Sequence, residues 1–379
     1  MKINTSISCC FLILGFFLMS ARPIRHRLAP DKPRAYWMKG KYGLMVHWLA
    51  PGPPSRKGAH VDDLNKATTN FDIDGFMADF DKTGADWLIF TMGQNTGFYA
   101  SPNAVIDSLA GSGHTPRRDL ALDIAKAVKK RGKQFIAYLP CEVRANKAMH
   151  QGFGWNTQPG TDQAEFQKKY LKAIREWAIK FGPNLDGWWF DGCYTWDAFP
   201  NKYMQWEDWY AASRAGNKNA VITFNDGSFC ANSTKPIINS QDYLSGEVEV
   251  LIDGKIRLGR KAKADGISLF MPKGAYVDGT QCLYHALLPI DACWEHGTPW
   301  DPSQKVPFTP VMPKAQDEME TPVYTDKELI KFVANFTKVG GAVTLNAGIF
   351  QEGRLGPKTI KQLKILRESL KKEQSEGVR

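Results

Sequence analysis

The chain has 379 residues, 43% hydrophobic and 23% charged, and carries a net charge of +10. That is an ordinary composition for a folded domain, and it excludes both a disordered chain and one embedded in a bilayer. Aromatic residues are abundant, with 12 Trp, 12 Tyr and 21 Phe, a supply that serves a large core or a cleft whose ring faces stack on sugar C–H surfaces.

The N-terminus reads as a secretory signal over residues 1–21. Met1-Lys2 is a basic start, Phe11 to Met19 is a short apolar run and Ser20-Ala21 is a small-residue end, too short in all for a spanning helix. Cys9 and Cys10 precede the apolar run, which argues against a lipoprotein attachment cysteine. The expectation is one catalytic domain over 22–379, secreted or periplasmic, with no membrane association after cleavage. Loss of Lys2 takes the net charge from +10 to +9, a balance that suits an anionic polymer such as a sulfated or uronic-acid polysaccharide. A solvated basic surface with a Lys-rich last helix accounts for the charge equally well. Nucleic acid is disfavoured as a partner, because no concentrated basic run lies outside that helix. Of the 7 cysteines, Cys141, Cys193, Cys230, Cys282 and Cys293 follow the signal. Their odd number leaves at least one thiol unpaired, no CxxC pair points to metal, and spacing does not assign a pairing.

Along the mature chain, short apolar strands alternate with amphipathic helices. The first strand is Tyr42 to Trp48, followed by the loop Pro51-Gly52-Pro53-Pro54. A helix over 72–82 follows, with Phe76 and Phe80 one turn apart and Gly84 as its stop. Trp87 to Thr91 is the second strand, and a helix over 118–131 leads to the third, Gln134 to Leu139. The helix over 162–181 carries Phe166, Tyr170, Ile174, Trp177 and Phe181 as one apolar stripe. The fourth strand, Gly187 to Asp191, is an apolar run ending in a carboxylate. The fifth is Val221 to Asn225, and the sixth enters at Asp242-Tyr243-Leu244. A seventh is weakly marked at Ile267 to Phe270, and the eighth is Ala342 to Asn346, framed by helices over 325–338 and 357–372. Eight parallel βα units predict an α/β fold of the closed (β/α)8, TIM-like barrel type. An open doubly wound sheet is the alternative, weakened by the lack of a Gly-rich phosphate loop after the first strand.

In a barrel the C-terminal strand ends share one mouth. They offer His47 and Trp48, Gln94 and Asn95, Glu142, Asp191, Asn225 and Asp226, Glu247 and Asn346. Two carboxylates on one rim suit glycoside hydrolysis, in which one attacks the anomeric carbon and the other protonates the leaving oxygen and then activates water. The histidines show no ligand spacing such as HExxH, so no metal and no cofactor is expected.

Several of these stretches resemble one family. Tyr42-Gly43-Leu44-Met45-Val46-His47-Trp48 is similar to the Gly-(Ile/Leu)-Phe-Ile-His-Trp-Gly opening of the α-L-fucosidases of glycoside hydrolase family 29. Trp189-Phe190-Asp191-Gly192 looks like that family's Trp-Phe-Asp-Gly. Gln241 to Glu247 resembles its Gly-Asp-Tyr-x-Thr-Pro-Glu, Trp294-Glu295 with Trp300 its Trp-Glu…Trp-Gly, and Lys338 to Gly348 its closing Lys-Gly-Gly-Asn-Leu-Leu-Leu-Asn-Ile-Gly. Order and spacing agree from about Tyr42 to Leu370.

The resemblance implies a retaining exo-glycosidase that removes a terminal α-L-fucose or a similar sugar. Asp191 is then the nucleophile and Glu247 the acid/base, with Asp242, Glu249 and Glu295 as rivals. His47, Trp48, Gln94, Asn95, Trp189, Asn225 and Trp300 are the implied sugar contacts. Three departures stand out. The family's Lys-His-His-Asp-Gly-Phe is replaced by Met92-Gly93-Gln94-Asn95-Thr96-Gly97-Phe98, which keeps hydrogen-bonding amides but changes the groups that read the sugar. The family's Asn-Asp-Arg becomes Asn225-Asp226-Gly227, and the sequence stops where many relatives continue into a β-sandwich, so no second domain is expected. A hydrolase for another sugar, or a carbohydrate-binding relative without catalysis, is the alternative function.

Overall fold

The computed structural model describes residues 32–53, 55–56, 60–94, 96–158, 160–194, 201–225, 227, 235–247, 250–252, 255–257, 271–291, 322 and 324–376. The signal at 1–21, the weak strand at 267–270 and the residues Asn95, Asp226, Glu249, Glu295 and Trp300 lie outside them.

Among the described residues, nine strands run in chain order as β1 (Tyr42–Val46), β2 (Trp87–Thr91), β3 (Gln134–Pro140), β4 (Gly187–Asp191), β5 (Val221–Phe224), β6 (Val250–Ile252), β7 (Lys255–Arg257), β8 (His285–Pro289) and β9 (Ala342–Ala347). Seven of them form one parallel sheet, ordered β5-β4-β3-β2-β1-β9-β8, while β6 and β7 form a separate antiparallel hairpin. The sixth predicted strand appears as an irregular stretch between the two sheet edges. Asp242 donates its N–H to Ile222 O of β5 at 3.0 Å, and on the other side Tyr243 and Glu247 bridge in parallel to Leu283 and Leu287. The strand beside β9 is β8, which the sequence pattern did not mark.

In the parallel sheet, β1, β2, β5, β8 and β9 are buried at every position, as expected of apolar runs in a covered parallel sheet. Alternation sorts the side chains. Met45, Trp87, Ile89, Ile136, Tyr138, Trp189, Val221, Tyr243, Leu283, Leu287 and Ala342 form an inner cluster. Residues of opposite parity, such as Leu44, Val46, Leu88, Phe90, Phe135, Ala137, Trp188 and Phe190, pack against the helices. Gly43 is required inside: a Cβ there would lie 2.1 Å from the Trp87 indole nitrogen, which crosses β1 and donates to Thr344 Oγ1 at 2.9 Å.

The helices are α1 (Leu64–Asn70), α2 (Ile73–Thr83), α3 (Ala104–Ala110), α4 (Leu120–Lys129), α5 (Lys147–Phe153), α6 (Ala164–Phe181), α7 (Trp206–Ser213), α8 (Asp326–Lys338) and α9 (Pro357–Glu376). Side-chain caps start several of them: Asp72 accepts from Gly75 N, Asp119 from Leu122 N, and Thr325 with Glu328 makes a capping box. Gly84 stops α2 at φ 74°. The stripe foreseen on α6 is buried in full, and burial of each such side chain is worth about 1.5–3 kcal/mol. The short helices α1, α3, α5 and α7 were not foreseen, because seven or eight residues carry too few turns for a period to show.

Candidate active site

Strand alternation builds the site. Positions 187, 189 and 191 share the inner face of β4, so Asp191 stands one layer above Trp189. The same parity carries His47 beyond Met45, Tyr138 beyond Ile136, Asn225 beyond Val221, Glu247 beyond Tyr243 and Asn346 beyond Thr344.

Four neutral donors fix the Asp191 carboxylate. Oδ1 accepts from the Tyr194 hydroxyl at 2.8 Å and from Asn225 Nδ2 at 2.9 Å; Oδ2 accepts from the Tyr138 hydroxyl and, at 3.4 Å, from Gln94 Nε2. Gln94 also donates to the Tyr138 oxygen. The Tyr138 ring lies on Trp189 with centroids 5.0 Å apart and planes 10° apart, and it meets the edge of His47 at 5.2 Å. His47 Nδ1 donates to Asn346 Oδ1 at 2.8 Å, with the amide oxygen assigned to face the ring. Among the described residues, the buried Asn346 Nδ2 has no hydrogen-bond partner.

Burial, with the nearby Asp191 charge second, pushes the Tyr138 phenol well above its ordinary range. The same two causes act on Tyr194, where Glu247 adds to them. Both hydroxyls therefore stay protonated and keep donating. Glu247 is half-buried, and its charge adds to the rise at both phenols.

The other expected residues divide clearly. His47, Gln94 and Asn225 converge on Asp191 or on the Tyr138 ring beneath it, whereas Trp189, fully buried under Tyr138, supports the site from below and does not line the cleft as expected. Trp48 does not: it is fully buried between Phe71 and Phe90 on the helix side, with its indole N–H on Gln351 O at 2.9 Å. Its parity is that of Leu44 and Val46, which corrects the expectation that it lines the cleft. Asp242, a rival for acid/base, lies at the start of its stretch, bonded to Arg214 at 2.6 Å and to Ile222 N at 2.8 Å, and is a structural ion pair. Glu142 is 4% exposed and accepts from Arg144 N at 2.7 Å. Tyr138 and Tyr194 were missed. The parity of Tyr138 with Ile136 was a usable signal. The placement of Tyr194 depends on a turn at Gly192, with φ 77°, that strand periodicity does not report.

Among the described residues, no group of three or more His, Cys, Asp or Glu could hold a metal ion, and no helix is long and apolar enough to cross a membrane.

Comparison with known proteins puts this architecture among the glycoside hydrolases. Residues 29–248, more than half of the chain, match the family described as Alpha-L-fucosidase, and the chain belongs to that family. Among solved structures, an endo-fucoidan hydrolase from glycoside hydrolase family 107 superposes with a TM-score of 0.60 at 17% identity, over 89% of this chain and 53% of that one. The chain thus spans about half the length of that relative. Alpha-L-fucosidase isoenzyme 1 from Paenibacillus thiaminolyticus gives 0.57 at 16%, over 89% of this chain and 75% of that one. A family 29 fucosidase of Ruminococcus gnavus in complex with fucose gives 0.57 at 15%, over 90% and 67%. At these identities the likeness is one of fold. A search among curated proteins gave no match.

Proposed function

We propose that the chain is a secreted, retaining exo-hydrolase of terminal α-L-fucosyl or closely similar linkages, acting on a glycan or an anionic polysaccharide. The observation that carries this reading is the Asp191 carboxylate, held by four neutral donors above an aromatic floor, with Glu247 acting on the same two tyrosines. Asp191 attacks the anomeric carbon while Glu247 protonates the leaving oxygen. Glu247 then takes a proton from the water that releases the sugar. Because none of the donors to Asp191 among the described residues is a cation, its charge remains to stabilise the positive charge that develops on the sugar ring. His47, Gln94 and Asn225 are placed to bind sugar hydroxyls, as is the orphaned amide of Asn346; Asn95 and Trp300 keep the roles expected from the sequence. In this reading the stretch from Asp242 to Glu247 serves as the sixth stave and closes the sheet into a (β/α)8 barrel.

A second reading, internal cleavage of a fucose polymer, is favoured by the family 107 endo-fucoidan hydrolase fold, which superposes as closely as the fucosidases do. Aryl α-L-fucosides and a fucoidan preparation separate the two: an exo-enzyme releases monosaccharide from both, an endo-enzyme oligosaccharides from the polymer alone. Asp191→Ala lowers kcat on the order of 10³-fold or more, and azide restores turnover by occupying the vacated position. Full activity in that variant would end the assignment. Binding without release from any sugar in a panel of glycosides would instead identify a lectin-like relative.

A further inference from the structure

We infer that Cys141 and Cys193 form a disulfide that ties together the strand ends flanking Asp191. Their sulfurs lie 2.6 Å apart, closer than the roughly 3.5–4.0 Å at which non-bonded heavy atoms of similar size rest. Neighbouring strands run about 4.8 Å apart, within the span that a disulfide bridges. Here Pro140 of β3 is in register with Asp191 of β4, so the two cysteines leave adjacent strands almost side by side. Their backbones are pinned: Cys141 N–H donates to Asp191 O at 2.6 Å and Cys193 N–H to Asn225 O at 2.9 Å.

The left-handed turn at Gly192 makes the meeting possible. Strict alternation would send Cys193 inward with Trp189 and Asp191. With φ 77° at Gly192, Cys193 instead joins Cys141 in the helix-side core, and Tyr194 returns over Asp191. Cys282 is no competitor, since it is buried in a separate cluster with Leu244 and Val277. One bridge would thus hold the strand that bears Tyr138 to the strand that bears Asp191, whose side chains bond to each other.

The chemistry is a two-electron oxidation. Two S–H bonds break and one S–S bond forms; the two protons and two electrons pass to a small disulfide such as glutathione disulfide, which leaves as two thiols by way of a mixed disulfide. Both sulfurs are fully buried in the folded chain, so the exchange takes place during folding, before β3 and β4 pack. The inference does not depend on which sugar the enzyme cleaves.

The test is a peptide map of the unaltered full-length chain, refolded in a glutathione redox buffer, alkylated under denaturing conditions and digested with trypsin without reductant. The expected product joins peptide 134–144 to peptide 181–202 and separates on reduction. Recovery of both peptides as alkylated monomers, or of either one joined to a different cysteine peptide, overturns the proposal. A second measurement compares the melting of the oxidised protein with that of Cys141→Ala/Cys193→Ala, which should melt about 3–6 °C lower. Equal melting temperatures would show that no such tie is made.

Discussion

For Asp191 the informative feature is the set of groups that donate to it, more than its place at a strand end. Hydrogen bonds to a charged group are worth about 1.5–3 kcal/mol, so Tyr138→Phe and Tyr194→Phe should each lower kcat/KM for an aryl fucoside by roughly 10- to 100-fold. Unchanged rates in both variants would mean that Asp191 does not carry the reaction. Trp48→Phe should behave in the opposite way. Its indole fills the helix-side core, so the change should lower stability by roughly 1–3 kcal/mol in a denaturant titration and leave KM unmoved. Much of this contrast was legible in the sequence. The two-residue period that puts Asp191 and Asn225 on the inner face also puts Trp48 on the outer one, and family likeness obscured that for Trp48. What was not legible is the set of partners supplied by other strands, such as Asn346 on His47, because register across a sheet is not written in any one segment.

Among the elements, β8 shows how the sheet edge is held. His285 donates from Nδ1 to Leu244 O at 2.9 Å and meets Thr344 Oγ1 through Nε2 at 2.7 Å, tying the stretch before Glu247 to β9. Burial lowers the His285 imidazole from its ordinary 6.5 to about 4. The folded chain keeps it neutral between those values, whereas the unfolded chain takes up a proton. Stability from this residue is therefore complete above about pH 6.5 and falls as pH drops toward 4, by about 3 kcal/mol in all. Urea midpoints measured across that range should show the slope, and His285→Gln should flatten it; an equal slope in the variant would exclude His285 as the source. Gly246 is the other fixed point, with φ 74° and a Cβ position 2.1 Å from His285 O. Gly246→Ala should misplace Glu247 and cut kcat as well as stability. The strand β8 escaped sequence reading because it starts at His and ends at Pro, two residues that do not announce a strand, while β4 declared itself by four consecutive apolar or glycine positions and a terminal acid.

Over the whole molecule, the net charge of +10 bears on the partner. If the substrate is a sulfated or uronate chain, raising salt through the physiological range should raise KM for the polymer several-fold and leave a neutral aryl fucoside unaffected. Parallel responses for the two substrates would remove the polyanion from the proposal. Trp87, Tyr138, Trp189 and Tyr243 fill the centre of the curled sheet, so in the proposed function a sugar on Asp191 stands over a closed aromatic floor and enters and leaves on the Asp191 side. On the double-displacement reading, whatever is cut away must back out by the way it came before water can follow it in. The speed of that retreat, and not bond-breaking alone, then governs how often the trapped sugar is handed to a competing alcohol.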